Sequence, residues 1–249
     1  MSRNSAELIE LFSSIQGEGI LVGRRQLFLR FAGCNLDCSY CDTSHAPTPY
    51  FRMESVPGSG KFDKIPNPVA LETVAGQLAS INTTHPRLHH SLSITGGEPL
   101  IHAETLAEWL PVLRSYLPIF LETNGTLHAE LTRVIDQIDY ISMDIKLPSS
   151  AGITETLWHS HRAFLEIASI KECYVKVVVS LDTTHDEIQT AAELIAAQNY
   201  DIPLIIQPVT AQVGNPLMGS LLLSLQERAS ILLSDVRVIP QLHAFMQVL

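Results

Sequence analysis

Two periods of apolar and polar residues run through the chain. Short runs rich in Val, Ile and Leu occupy 91–95, 118–122, 140–146, 174–180, 203–207 and 236–239, and 26–32 (Gln-Leu-Phe-Leu-Arg-Phe-Ala) is the first of the series. Between them lie stretches with helical spacing, at about 69–81, 103–116, 127–136, 155–168, 184–197 and 219–233. Strand-length runs separated by amphipathic segments predict parallel strands joined by crossover helices. Right-handed units of this kind curl into a barrel or lie as an open sheet. Pro111 predicts a kink or a break in the second helix, since proline lacks the N–H and collides with the preceding turn. Residues 44–68 have no clear period, and Pro47, Pro49, Pro57, Gly58, Gly60, Pro66 and Pro68 predict a long loop or insertion there. No repeat or linker interrupts the pattern, so 1–249 is expected to be one α/β domain.

Composition narrows the setting. Apolar residues at 46% and charged residues at 17% describe a globular protein with room for a sizeable core. A formal charge of −10 argues against a nucleic-acid surface, which needs a basic excess. No run approaches the ~20 apolar residues that span a bilayer, and residues 1–7 lack the apolar core of a secretory signal. A cytoplasmic protein without membrane partners is expected. Of the four cysteines, Cys34, Cys38 and Cys41 crowd into one short segment, which in a reducing compartment indicates metal or redox chemistry and not a disulfide framework.

Those three cysteines have Cys-x3-Cys-x2-Cys spacing and follow directly on 26–32. Three thiolates in one loop can converge on one centre, and soft thiolates select iron–sulfur, zinc or copper. A four-iron cluster held by three cysteines leaves one iron open to a small molecule. A structural zinc wants a fourth ligand, for which His45 is the nearest candidate, and a zinc-stabilised binding module is the alternative. A second signal, Thr95-Gly96-Gly97-Glu98-Pro99, ends the run at 91–95. Paired glycines at the C-terminal end of a strand let backbone groups approach a ligand, and that end is where ligands bind in barrels and open α/β sheets.

Together these motifs resemble the radical S-adenosylmethionine superfamily. The resemblance implies a partial (β/α)6-type barrel with a long loop insertion after the cluster motif. It also implies a [4Fe-4S] cluster whose open iron binds S-adenosylmethionine, and cleavage of that cofactor to a 5′-deoxyadenosyl radical. Ser14-Ile15-Gln16-Gly17-Glu18-Gly19, Leu29-Arg30-Phe31-Ala32-Gly33-Cys34-Asn35 and Cys41-Asp42-Thr43 narrow the likeness to the 7-carboxy-7-deazaguanine synthase family. That family contracts 6-carboxy-5,6,7,8-tetrahydropterin with release of ammonia on the route to queuosine and related 7-deazapurines. The nearest rival within the superfamily is a glycyl-radical activating enzyme.

Carried over position by position, the likeness implies that Cys34, Cys38 and Cys41 ligate the cluster. Ile15, Gln16, Gly17, Glu18 and Thr95 would meet the pterin, and Arg30 would grip its carboxylate, a task suited to a planar guanidinium. Thr43 would ligate Mg2+, and Tyr40, Asp42, Gly97 and Glu98 would border S-adenosylmethionine. Asp144 and Lys146 would do so from a segment, Asp144-Ile145-Lys146, that departs from the family's Ser-Pro-Lys. His243 lies in Gln241-Leu242-His243-Ala244, where alanine replaces a family lysine, and would touch substrate. A flavodoxin- or ferredoxin-like electron donor and a homodimer are further implications. Outside these motifs, Cys173 is expected to be a buried strand thiol, and His85, His89 and His90 to lie in a solvated connector. Asp136 and Asp139 are expected to be turn or cap residues.

Overall fold

The computed structural model of the chain describes residues 4–153 and 156–248. Residues 1–3 of the N-terminal segment, and the expected start of a helix at 155, lie outside the described residues. Ten strands form the main sheet: β1 (Leu8–Ile15), β2 (Arg25–Phe31), β3 (Tyr50–Glu54), β4 (Phe62–Pro66), β5 (Ser91–Gly96), β6 (Ile119–Thr123), β7 (Tyr140–Ile145), β8 (Glu172–Val179), β9 (Leu204–Pro208) and β10 (Val236–Val238). Their order is β10-β9-β8-β7-β6-β5-β2-β1-β3-β4. From β2 through β5 to β10 every neighbouring pair is parallel, and from β5 onward every step goes to the next strand in the chain. Crossovers of one hand give such an order, and the sheet remains an open, partial barrel.

The helices α1 (Leu71–Thr84), α2 (Ala103–Leu113), α3 (His128–Val134), α4 (Trp158–Ala168), α5 (His185–Ala196) and α6 (Pro216–Ser230) match the expected amphipathic stretches closely. Strand alternation assigns the two faces of the sheet. Leu27, Leu29 and Phe31, then Leu92 and Ile94, then Ile141, Met143 and Ile145 join the same core as Val74 and Leu78 of α1 and Leu106 and Trp109 of α2. The intervening positions include Arg30, Thr95, Glu122, Ser142, Asp144, Lys176 and Gln207, which line a cavity. One face holds the helices and the other holds polar groups. A smaller apolar cluster of Phe120, Tyr174 and Ile205 belongs to that second set of strand positions.

Four expectations need correction. The run at 26–32 is not the first strand: β1 precedes it and pairs with it antiparallel, Glu10 opposite Arg30. Residues 44–68 are not a structureless insertion, because β3 and β4 form a hairpin within them. Glu54 closes that hairpin by accepting from the backbone N–H groups of Gly58, Gly60 and Ser13. The prolines sit where an edge strand tolerates them, Pro49 before β3 and Pro66 at the end of β4. Pro111 does not break α2, which continues two residues past it to Leu113, three residues short of the expected end. His89 is not solvated; it is buried, with Nε2 2.7 Å from Ser13 Oγ. Cys173 is a buried strand thiol, as expected, with burial pushing it up to about 11. Asp139 ends a turn by accepting from Ile119 N and from Arg114.

Candidate active site

A cavity of about 700 Å³ opens at the C-terminal ends of the parallel strands. Cys34, Cys38 and Cys41 lie at one wall as free thiols, the first two half-buried and the third exposed. Backbone bonds fix their loop: Gly33 N donates to His45 O, Glu98 N to Gly33 O, Cys41 N to Cys38 O, and Ser39 N to Ala151 O. Asn35 ties the same loop to the end of β6 through Asn124 and Thr126. The thiols therefore hang on a framework held at three strand ends. Gly96 and Gly97 make the approach possible: Gly96 has φ of +120°, and a Cβ on Gly97 would overlap the Gly33 carbonyl. Desolvation pushes the Cys34 and Cys38 thiols up, and each feels the charge of Cys41.

These donors suit a multi-iron cluster better than one zinc ion. Zn–S bonds of about 2.3 Å in a tetrahedron place sulfurs roughly 3.8 Å apart. Among the described residues, the trio whose ligand atoms gather within 4.8 Å is Glu18, Asp42 and His243, and the three thiols are not drawn together that closely. In a four-iron cluster each thiolate binds a different iron, which needs the wider spacing. His45, the fourth ligand of the zinc alternative, has Nδ1 at 3.3 Å from Thr43 O and is not part of the cavity wall.

Glu98 also differs from a simple wall residue. Its side chain is fully buried behind Gly97, where its oxygens accept from Leu100 N, Asn124 N and Thr123 Oγ1. Desolvation outweighs these bonds and pushes the carboxyl up to about 7. Glu98 thus braces the Gly-Gly turn against the end of β6.

Beside the thiols, the Lys146 ammonium lies 5.2 Å from the centroid of the Tyr40 ring and bonds Asp144 Oδ2 at 2.7 Å. Tyr40 and Lys146 are both partly buried; desolvation raises the phenol, whereas Asp144 raises the ammonium against the cost of its desolvation. His161 supports this corner from below. Its Nε2 accepts from Lys146 N at 3.2 Å, so Nδ1 carries the proton and donates to Gly125 O at 3.0 Å. Burial holds His161 down at about 4 and therefore neutral. Its contribution to stability is complete above pH 6.5 and is lost as pH falls toward 4, because the unfolded imidazole takes up a proton first. His161→Leu should lower stability at pH 7 by roughly 2–4 kcal/mol through two broken buried hydrogen bonds. The difference in melting between the two proteins should narrow between pH 6.5 and 4.

The opposite wall is a web of charged and amide groups. Arg30 Nη1 donates to Glu10 Oε1 at 2.5 Å, and its guanidinium lies 4.8 Å from the Phe12 ring centroid. Further N–H donors remain on Nε and Nη2. Glu122 accepts from Gln16 Nε2 at 3.0 Å, Ser93 Oγ at 2.8 Å and Thr95 Oγ1 at 3.2 Å. Gln16 Oε1 in turn receives Glu18 N. Glu18 accepts from Lys176 Nζ and, at 2.7 Å, from Gln241 Nε2. Burial alone would raise Glu18, but the Lys176 ammonium overrides it and holds the carboxyl down at about 2. Gly17 packs so closely under His243 that any Cβ there would overlap the imidazole, while Leu242 N donates to Gly17 O. Ile15, Asp42 and Thr43 complete this side, Thr43 Oγ1 donating to Asp42 Oδ1 at 3.1 Å.

One cavity therefore collects Cys34, Cys38, Cys41, Ile15, Gln16, Gly17, Glu18, Arg30, Tyr40, Asp42, Thr43, Thr95, Gly97, Asp144, Lys146 and His243, with Glu98 behind its wall. Glu122, Lys176 and Gln241 belong to the same web and were not singled out as site residues from the sequence.

An open sheet of sequential parallel strands with a three-cysteine loop after its first parallel strand defines a radical S-adenosylmethionine protein. The family model for the Radical SAM superfamily matches residues 29–195. Among solved structures, the chain is similar to QueE from Escherichia coli, with a TM-score of 0.59 and 20% identity over 96% of this chain and 95% of that one. It is also similar to Streptococcus suis SuiB bound to S-adenosylmethionine, with a TM-score of 0.53 and 14% identity over 85% of this chain and 48% of that one. These two likenesses speak for the fold. Closer relatives are proteins named 7-carboxy-7-deazaguanine synthase: 51% identical in Geobacter sulfurreducens, over 99% of both chains, and 35% identical in Methanothermobacter thermautotrophicus, over 96% of both. The chain belongs to the 7-carboxy-7-deazaguanine synthase family of that superfamily.

Proposed function

We propose that this chain contracts 6-carboxy-5,6,7,8-tetrahydropterin to 7-carboxy-7-deazaguanine with release of ammonia, as a carbon–nitrogen lyase of 7-deazapurine biosynthesis. The observation that carries this reading is the union, in one cavity, of three free thiols and a wall bearing Arg30, Gln16 and Glu18. Cys34, Cys38 and Cys41 would hold a [4Fe-4S] cluster, and Tyr40, Asp42, Gly97, Asp144 and Lys146 would border S-adenosylmethionine, with Glu98 bracing the turn from behind. When bound, these cofactors supply a 5′-deoxyadenosyl radical able to take hydrogen from the pterin.

The chain's own residues hold and orient the substrate. Arg30 offers paired N–H donors to the pterin carboxylate while Glu10 anchors the guanidinium from the other side. Ile15, Gln16, Gly17, Glu18, Thr95 and His243 would surround the ring, whose amide and amino edges need both donors and acceptors. Thr43 would ligate Mg2+; the neighbouring oxygens of Asp42 and Glu18 support a hard cation there, completed by substrate and water. Such a grip limits the geometries open to a reactive ring. A homodimer and a flavodoxin- or ferredoxin-like electron donor enter this reading from family resemblance.

An anaerobic assay with carboxytetrahydropterin, S-adenosylmethionine and a chemical reductant tests it. The deazaguanine acid and ammonia should both appear. Deoxyadenosine formed without that product would point to another radical enzyme.

A further inference from the structure

Lys176 lies on β8 with its side chain turned to the polar face of the sheet, in register with Asp144 on β7. Its ammonium touches Glu18 Oε2 and lies 3.7 Å from Asp144 Oδ2, while Asp144 Oδ2 receives Lys146 Nζ. All of these charged side chains are between 11% and 16% exposed. The result is an alternating line of charges, Glu18, Lys176, Asp144, Lys146, running from the wall of Gln16 and Glu18 to the wall of the thiols. Glu18 itself lies just past the end of β1: its backbone N–H goes to Gln16 and its carboxylate to Lys176 and Gln241. A buried carboxylate keeps one orientation only if charged or polar partners fix it. Each Glu18 oxygen already accepts one bond and has a second acceptor position free for a ligand.

We propose that Lys176 is a positioning residue that aims the Glu18 carboxylate at the amide and amino edge of the pterin. Asp144 holds the ammonium from the far side, so the orientation of substrate is tied to the wall that borders the cofactor. This inference rests on the pterin reading above and adds to it a residue that contributes no bond to the substrate itself.

The test is a double-mutant cycle on anaerobically reconstituted enzyme, read as KM for carboxytetrahydropterin and as deoxyadenosine formed per product. Lys176→Met should raise KM roughly tenfold or more, because truncating one partner of a buried charge pair is costly. It should also raise the share of deoxyadenosine formed without product, while iron content stays near wild type. Lys176→Arg should recover part of the loss. In a Glu18→Gln background the same Lys176→Met change should alter KM by no more than about twofold, since residues acting as one unit are non-additive. Should Lys176→Met alone fail to fold, Lys176→Arg in the wild-type and Glu18→Gln backgrounds closes the cycle instead, with a raised KM expected in the wild-type background alone. Multiplicative effects in the cycle, or an unchanged KM in Lys176→Met, would overturn the proposal. A wild-type enzyme that makes no deazaguanine acid would overturn the pterin reading as well, whereas an active wild type with an indifferent Lys176 would overturn this inference alone.

Discussion

Cys38→Ala protein, reconstituted anaerobically with iron and sulfide, should cleave no S-adenosylmethionine above background. Cys38 is half-buried at the wall that also carries Asp144 and Lys146, and both charges act on its sulfur. No other cysteine can replace it, because Cys173 is buried in β8 within the helix-side core. Two thiolates would be left for a cluster that needs three, and iron should be lost or held in a smaller, unstable form. The apo fold should survive, since the loop is held by backbone bonds from Gly33, Ser39 and Cys41 and by Asn35 rather than by sulfur. Circular dichroism matching wild type, with absent charge-transfer absorbance and absent deoxyadenosine, is the expected combination.

Arg30→Ala should separate the two halves of the reaction. The thiols and their framework are untouched, so deoxyadenosine still forms, while kcat/KM for the pterin falls by about ten- to a hundredfold, the equivalent of one charge-assisted interaction of roughly 1.5–3 kcal/mol. A structural cost accompanies it. Glu10 is 5% exposed and would keep only Arg52, whose nitrogen is 3.4 Å away and half in solvent. Arg30→Lys tests this division: it restores charge beside Glu10 and hence stability, but a point-like ammonium cannot give two parallel bonds to a carboxylate. Product formed at the native rate by Arg30→Ala would remove the carboxylate grip from the account.

The parallel strands and the cysteine loop were legible because both rest on local patterns. Seven parallel strands fell within two residues of their expected limits, and their helices carried clear apolar stripes. β1 escaped because it has no alternation to detect. Leu8, Leu11 and Phe12 are buried, but so are Glu10, Ser13 and Ser14. The hairpin escaped because prolines at its edges resemble loop punctuation, and because Glu54, which closes it, acts through backbone groups that carry no sequence signature.

Lys176, Glu122 and Gln207 were missed for a different reason. Strands buried on both faces are expected to be apolar throughout, yet Ser91-Leu92-Ser93-Ile94-Thr95, Ser142-Met143-Asp144-Ile145-Lys146 and Tyr174-Val175-Lys176-Val177 place a polar group at every second position. Read across all strands, that alternation marks the lining of a cavity before any motif is recognised. What no local pattern could supply is pairing over distance, such as Glu18 with Lys176 or Gly17 with His243, where a missing Cβ leaves room for a ring more than two hundred residues away.

The account stands on three sulfur ligands leaving one iron of the cluster free. Electron–nuclear double resonance on the reduced, anaerobically reconstituted wild-type protein, with S-adenosylmethionine labelled in its amino and carboxylate groups, measures this directly. Coupling of both labels to the cluster is the predicted result. A colourless protein with one zinc ion, or a cluster whose spectrum ignores the labelled cofactor, would contradict it.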